Sequence, residues 1–257
     1  MFKIPLKNNE KLKKIYEVVS KDSELQTYWE CSNIIAIDRL HLNDHGRVHI
    51  TIVTNIALKL LRMLHENGVI TNIESDHKMS YEDAEVVVFL ACIFHDIGHV
   101  IHRDNHAMLS ATIAPAFLEK ILPVVYNNHE KARMISDICH AIYTHREGAS
   151  PLTIEAGVVR IADALDMKRG RAKISFSQIG STSIHSVSAY AIKDVKIEKG
   201  EKKIIRISIN MANSSGIFQI DSLLKHKIKD SGISKYIEVY AFIEGEVEEK
   251  IINLVKI

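Results

Sequence analysis

Four groups of histidines and aspartates are the residues in this chain whose types and spacing could do chemistry. His95 and Asp96 are adjacent at the end of an apolar run, so their imidazole and carboxylate can both reach one divalent cation. The chain has 14 histidines, about twice what average usage would give. In chain order, the groups are Asp44, His45 and His49; His95, Asp96, His99, His102 and His106; His140 and His145; and Asp163 and Asp166.

The donor types indicate the kind of metal ion. Imidazole and carboxylate donors without cysteine suit Mn, Fe, Co, Ni or Zn, and they argue against a structural thiolate zinc site. A site with few protein ligands for each ion leaves positions for water and substrate, lowers the pKa of the bound water and holds phosphate oxygens. The sequence therefore predicts one or two divalent metal ions at a hydrolytic site.

Each of these residues also has a structural explanation. His49 alone could be a partly exposed helix residue, and His95 follows apolar residues, where a hydrogen-bonded core histidine is the default. Asp96 could be a turn residue. Asp163 lies in an otherwise apolar helical stretch, where an unpaired buried carboxylate would be costly. Taken together, the four groups favour a metal site.

Helices must position these groups, because the chain up to about Lys173 has apolar residues at helical spacing. Ser80 and Asp83 form a capping-box pattern before one helix, and Thr153 is the expected cap of another. Pro115 is expected to start, kink or break a third. The predicted helices cover residues 55–65, 84–94, 107–122, 130–144 and 153–165.

The rest of the chain is predicted to be a small antiparallel α+β unit, because β-branched residues and partial alternation replace the helical spacing. We therefore expect a mainly α protein, with an all-helical domain over residues 1–174 and a C-terminal α+β domain over residues 175–257. The C-terminal part carries no chemical motif. Its predicted strands cover residues 184–197, 203–211 and 236–244, and its predicted helix covers residues 218–229.

The bulk composition of the 257 residues excludes several classes of partner. A net charge of +1 gives no electrostatic attraction for a nucleic acid polymer or an anionic membrane surface. The longest apolar stretch, residues 86–94, is too short to span a bilayer. Cys31, Cys92 and Cys139 are far apart and no export signal is visible, which is typical of reduced thiols in a cytoplasmic protein.

His49, His95-Asp96 and Asp163 resemble the H…HD…D signature of the HD superfamily of metal-dependent phosphohydrolases, over about residues 30–175. By that resemblance, the fold of the helical part is an HD-domain bundle. The resemblance also implies that these four residues ligate one metal ion.

Further matches resemble the binuclear branch of that superfamily. The segment that starts at His106 is similar to the one that follows the HD pair in HD-GYP-type phosphodiesterases, and the segment around His145 resembles a shortened form of a later region. The resemblance implies that His106 and His145 bind a second metal ion. The Gly-Tyr-Pro triplet is absent, and Thr144 replaces a histidine of that branch, for which His140 could substitute. Cyclic dinucleotide specificity therefore does not transfer.

Basic residues beside these groups are candidates for phosphate recognition. Arg171, in the basic stretch 168–173, could present a bidentate fork to a phosphoryl group, although a solvated helix end explains the stretch equally well. His99 stands where the HD-GYP branch has a lysine, and it could contact phosphate instead. The weaker candidates are Arg47, Arg103 and Arg146.

The sequence therefore predicts a metal-dependent phosphohydrolase that cleaves a phosphomonoester or phosphodiester, nucleotide-derived, through a metal-activated water. A mononuclear nucleotidase or nucleoside-triphosphate hydrolase, and a non-catalytic metal- and nucleotide-binding sensor, are the alternatives. The partner is a small phosphorylated substrate, and a homo-oligomer is left open. The predicted catalytic residues are Asp96, His99 and Arg171, and the predicted metal ligands are His49, His95, Asp96, His106, His145 and Asp163.

Overall fold

A computed structural model describes residues 3–167 and 184–243 of the chain. The regular elements of the first range are all helical, and a π-helical turn, Ile34–Arg39, follows its second helix. Short 3₁₀ turns follow the fifth and sixth helices, at Ile97–Val100 and Leu122–Val124. The helices are α1 (Glu10–Lys21), α2 (Ser23–Asn33), α3 (Arg47–Glu66), α4 (Asn72–His77), α5 (Tyr81–Phe94), α6 (His106–Ile121), α7 (Asn128–Thr144) and α8 (Ile154–Leu165).

The helix α5 is the centre of this bundle. Its residues from Ala84 to Phe94 are all buried, and it packs against α1, α3, α7 and α8. A helix that is apolar on every side is stable only inside a core. The capping box predicted at its start is present, with the backbone N–H of Ser80 donating to Asp83 Oδ2 over 2.9 Å. The helix ends inside the protein, and the next residue, His95, is itself fully buried.

The other predicted helix signals also have structural counterparts. The hydroxyl of Thr153 accepts from the backbone N–H of Ala156 at the start of α8, as its capping role requires. Pro115 lies inside α6 without ending it, so the expected start or break at this position is wrong. The predicted helix 55–65 is the later part of α3, which begins earlier, at Arg47.

The C-terminal part contains a three-stranded sheet in the order β1 (Ile192–Lys199), β2 (Ile205–Met211) and β3 (Ile237–Ile243). The strands β1 and β2 are antiparallel, with Val195 opposite Ile209. The strands β2 and β3 are parallel, with Ile207 opposite Val239, so the fully antiparallel sheet that we expected is wrong. A helical crossover between β2 and β3 gives the parallel pairing. It consists of α10 (Ile217–Gln219), a π-helical segment Ile220–Leu224 and α11 (Lys225–Lys229).

The segment before β1 also corrects a prediction. Residues Ile184–Ala191 form a helix, α9, and the strand that we expected from residue 184 begins only at Ile192. The apolar residues 184, 187, 190 and 191 recur at intervals of three and four, which favours a helix over the two-residue period of a strand.

The sheet and the helical bundle share one hydrophobic core. The cluster of buried residues that includes Phe89 and Leu61 continues through Ile207 and Val239 of the sheet. The mainly α fold with a small C-terminal α+β part is confirmed. The division into domains 1–174 and 175–257 stays a prediction.

One helical stretch, His106–Val124, has the length and the apolar composition of a membrane-crossing helix. Core helices have the same properties, and Ala114, Phe117 and Leu118 of this stretch are buried in the core of the bundle.

Candidate metal centre

Five helices begin or end where the predicted site residues meet. His49 lies in the first turn of α3, and His106 is the first residue of α6. His95 follows α5 directly, His145 follows α7 directly, and Asp163 lies in the last turn of α8. Side chains at helix ends of a packed bundle have little freedom to move apart. The fold therefore brings together residues from stretches that are far apart in the sequence.

A close contact between backbones sets the distance from α5 to α6. The 3₁₀ turn after Asp96 lies directly on the start of α6, and the N–H of Gly98 donates to the hydroxyl of Ser110 over 2.8 Å. A Cβ at position 98 would lie 2.2 Å from the carbonyl oxygen of His106. Only glycine permits this approach.

The first set of donors, cluster I, consists of His49, His95, Asp163 and the Oδ2 atom of Asp96. The Nε2 atom of His49 lies 3.1 Å from His95 Nε2, 3.3 Å from Asp96 Oδ2 and 3.4 Å from Asp163 Oδ1. His95 Nε2 lies 3.3 Å from Asp96 Oδ2 and 3.9 Å from Asp163 Oδ1. Donors about 2.1 Å from one ion, at ordinary coordination angles, are about 3.0–3.4 Å apart. Cluster I therefore has the spacing of a metal site.

The second set, cluster II, consists of His106, His145 and the Oδ1 atom of Asp96. The Nε2 atoms of His106 and His145 are 3.2 Å apart. Asp96 Oδ1 lies 3.4 Å from His106 Nε2 and 3.7 Å from His145 Nε2. The two oxygens of Asp96 therefore face different clusters, as in a carboxylate that bridges two metal ions.

The hydrogen bonds at the Nδ1 atoms decide which ring nitrogens can bind metal. Nδ1 of His49 donates to Asp166 Oδ2 over 2.6 Å, and Nδ1 of His95 donates to the Cys92 carbonyl over 2.9 Å. In cluster II, Nδ1 of His106 and of His145 each donate to a backbone carbonyl, over 3.0 and 2.6 Å. Carbonyl and carboxylate oxygens only accept, so all four rings carry their proton on Nδ1.

The consequence is that the nitrogens left to bind a cation, the Nε2 atoms of the two imidazoles in each cluster, lie close together. Two Nε2 atoms at 3.1 Å in cluster I and at 3.2 Å in cluster II need a proton or a metal ion to offset the repulsion between their lone pairs. A divalent ion fits both positions, because imidazole and carboxylate are its usual ligands and the Nδ1 partners orient the rings.

A protein-family model described as the HD domain matches residues 47–168, which contain every donor of clusters I and II. The chain belongs to the HD-domain family. The uncharacterized protein MJ1020 of Methanocaldococcus jannaschii is 43% identical over 234 residues, which cover 91% of this chain and 90% of that protein. This similarity extends well beyond the HD match and into the C-terminal part of the chain. The resemblance predicted from the sequence is confirmed at the level of the family.

Asp96 and Asp163, the carboxylates of clusters I and II, are ionised in spite of their burial. Burial raises the pKa of the Asp163 carboxyl, but the Lys227 ammonium and the contact with His49 outweigh it and hold the pKa well below its usual range. For Asp96, the His95 imidazole and contacts with His49 and His95 likewise outweigh burial and lower the pKa. Both carboxylates are thus ready to bind a cation.

His99, a predicted catalytic residue, lies beside clusters I and II and belongs to neither. Together with His45 and Asp96 it forms a third group of donors within 4.8 Å of one another. Arg103 Nη1 lies 3.2 Å from His99 Nε2, and a guanidinium only donates, so Arg103 already uses the lone pair of that nitrogen. This arrangement favours a polar pair of Arg103 and His99 over a third metal ion.

Two residues around clusters I and II have no sequence feature that predicts a role at the site. Lys227 of α11 places its Nζ 2.6 Å from Asp163 Oδ2, so the C-terminal part does contribute to the site. The buried guanidinium of Arg160 donates from Nη1 to the carbonyls of Thr144, Arg146 and Ala149 and from Nε to that of Lys227. It therefore joins the loop after α7, which begins at His145, to α11.

The remaining predicted residues lie elsewhere. Asp166, from the fourth group of histidines and aspartates, supports the His49 ring. His140 accepts from the backbone N–H of Leu152, which places its Nε2 outside clusters I and II. Arg171 and the rest of the basic stretch 168–173 lie outside the described residues.

We expect the metal-free protein to lose stability as the pH falls below 6.5. Burial lowers the pKa of His99 to about 4 and that of His145 to about 3, from an ordinary value of 6.5. The unfolded chain therefore binds more protons than the folded chain in this range, and the free energy of unfolding falls as the pH falls, by about 5 kcal/mol from pH 6.5 to pH 4 for the two histidines together.

Urea unfolding of chelator-treated protein at several pH values measures this loss. His145→Gln should flatten the pH dependence, whereas the same change at exposed His129 should leave it as it is. Equal stability of the metal-free protein at pH 6.5 and pH 4 would contradict the prediction.

Proposed function

We propose that this protein is a metal-dependent phosphohydrolase that holds two divalent ions and hydrolyses a phosphomonoester or phosphodiester. Members of the HD-domain family are usually metal-dependent hydrolases, and the chain has histidine and aspartate groups that could hold metal. The proposal adds three points to this family property: two ions are bound, the reaction is the hydrolysis of a phosphoester, and the substrate is nucleotide-derived.

One observation carries the proposal. Two pairs of imidazoles, His49 with His95 and His106 with His145, face each other through Nε2 while their Nδ1 protons are committed elsewhere. Asp96 lies between the pairs and offers one oxygen to each. Such a pair of positions is what an in-line displacement at phosphorus uses to hold both the entering and the leaving oxygen.

The residues around the two clusters have distinct roles in this proposal. Bound divalent ions supply an activated water and stabilise the charge on the phosphoryl oxygens. Asp166 fixes the ring of His49, so it is a positioning group. Arg103 is exposed next to His99, and its remaining N–H groups are the proposed charge-assisted donors to a phosphoryl oxygen. Arg171 remains a candidate for the same role.

The proposed substrate is a small nucleotide-like molecule in the cytoplasm. The net charge of +1 supports a small ligand over a nucleic acid polymer. Two bound divalent ions would outweigh the charges of Asp96 and Asp163, so the site would attract an anionic phosphoryl group.

His106→Ala tests the number of ions. The wild type should bind two equivalents of Mn²⁺, and the variant about one, because His106 is a donor of cluster II alone. Hydrolysis should fall by about 100-fold or more. Equilibrium dialysis with elemental analysis counts the ions, and His102→Ala, at an exposed neighbouring residue, is the matched control. A wild type that binds a single ion, unchanged by His106→Ala, would support the mononuclear nucleotidase instead.

The reaction itself is tested with a panel of phosphomonoesters, phosphodiesters and nucleotides in the presence of Mn²⁺. Turnover of at least one class supports the proposal. Tight nucleotide binding without hydrolysis of any of them would overturn it and support the sensor.

A further inference from the structure

We propose that Lys227, from the C-terminal part of the chain, is a positioning residue for the ion in cluster I. The inference rests on the proposed metal centre. The two oxygens of Asp163 have separate partners: Oδ1 lies 3.4 Å from His49 Nε2, and Oδ2 lies 2.6 Å from Lys227 Nζ. The bond to Lys227 fixes the rotation of the carboxylate, so Oδ1 stays directed at cluster I.

The face of α8 that touches the C-terminal part shows how Lys227 is held. Gly157, Arg160 and Asp163 follow each other at intervals of three residues, so they lie along one face of this helix. A Cβ at Gly157 would lie 2.3 Å from the carbonyl oxygen of Ser231, so the turn after α11 packs directly on α8. Arg160 Nε donates to the carbonyl of Lys227 over 3.3 Å.

Each contact on this face fixes a different part of the same short segment. The Gly157 contact sets the distance between α8 and the turn after α11. The Arg160 bond holds the main chain at Lys227, and the Asp163 pair holds the Lys227 side chain. The ammonium and the carboxylate are both largely buried, with 19% and 15% of their side-chain surfaces exposed. Burial reduces screening by solvent, which makes the orientation of the pair well defined.

The contact is specific to one of the two ion positions. Asp163 belongs to cluster I, whereas the cluster II donors come from the ends of α5, α6 and α7. Loss of an outer partner of a metal ligand weakens metal binding by about 10–100-fold. Removal of the Lys227 ammonium should therefore weaken one of two metal-binding events and leave the other unchanged.

Calorimetric titration of the metal-free full-length protein with Mn²⁺ tests this inference. Lys227→Met removes the ammonium and keeps most of the aliphatic stem, and Lys227→Arg keeps a charged donor. We expect Lys227→Met to weaken one binding event by about 10–100-fold, and Lys227→Arg to restore it to within about fivefold. Lys225→Met is the matched control, because Lys225 lies in the same helix and pairs with exposed Asp221.

The outcomes separate this inference from the proposed function. A wild type that binds no Mn²⁺ would overturn the metal centre itself. Two binding events in the wild type that are both unchanged in Lys227→Met, or both weakened equally, would overturn the role of Lys227 alone. Lys227→Gln provides a second neutral variant should Lys227→Met fail to fold, and circular dichroism before each titration shows which variants are folded.

Discussion

Replacement of Asp96 by asparagine should reduce kcat/KM by about 1,000-fold or more, because it removes a donor from both ion positions at once. Asp96 Oδ2 lies 3.3 Å from two imidazole nitrogens of cluster I, and Oδ1 lies 3.4 Å from His106 Nε2. Asparagine has nearly the same shape, but it offers one oxygen and no negative charge. Neither cluster would then have the negative charge of this carboxylate to balance the charge of its ion.

Elemental analysis and steady-state kinetics of the same preparation check this prediction. The variant should retain fewer than two equivalents of metal, in parallel with its loss of activity. Asp104→Asn is the matched control, since Asp104 lies eight residues further along the chain with 83% of its side chain exposed. A variant that keeps two ions and more than a tenth of the activity would contradict the bridging role.

Replacement of Arg160 by methionine should lower the free energy of unfolding by about 4 kcal/mol. Arg160 is buried, and its guanidinium donates to four backbone carbonyls from two separate segments. Methionine fills much of the same volume but donates no hydrogen bond. The carbonyls would then be left without their donor inside the protein, which is the costly case for a buried polar group.

Urea unfolding of the metal-free proteins measures this cost. Arg133→Met is the matched control, because Arg133 is exposed and donates one bond of 3.3 Å to the carbonyl of His77. We expect the control to change stability by less than about 0.5 kcal/mol. A loss below about 1 kcal/mol in Arg160→Met would show that the loop and α11 hold together without the guanidinium.

The helical part of the fold could be predicted because its signals are local. The capping box at Ser80 and the apolar run up to Phe94 identify α5 within a few neighbouring residues. The same holds for the adjacent pair of His95 and Asp96, whose position at the end of a buried helix follows from the sequence. The distances among the donors are a product of packing and become known only with the structure.

The C-terminal part could not be predicted to the same extent, because its decisive contacts join distant residues. Lys227 reaches Asp163 across 64 positions of the sequence, and nothing around Lys227 distinguishes it from the neighbouring lysines. The parallel pairing of β2 with β3 likewise depends on where the crossover helices pack. The alternation within each strand is compatible with both directions.

The glycine at position 98 has a consequence for how rigid the separation of the two ions would be. The turn after Asp96 rests at Gly98 on the main chain of α6, and the Gly98 N–H donates to the Ser110 hydroxyl there. Main-chain atoms of packed helices fluctuate less than side chains do, so thermal motion would change the gap between the ions very little. In the proposed function, a fixed gap would select substrates by the geometry of their phosphoryl oxygens and would leave the rest of the substrate to be chosen by residues further out.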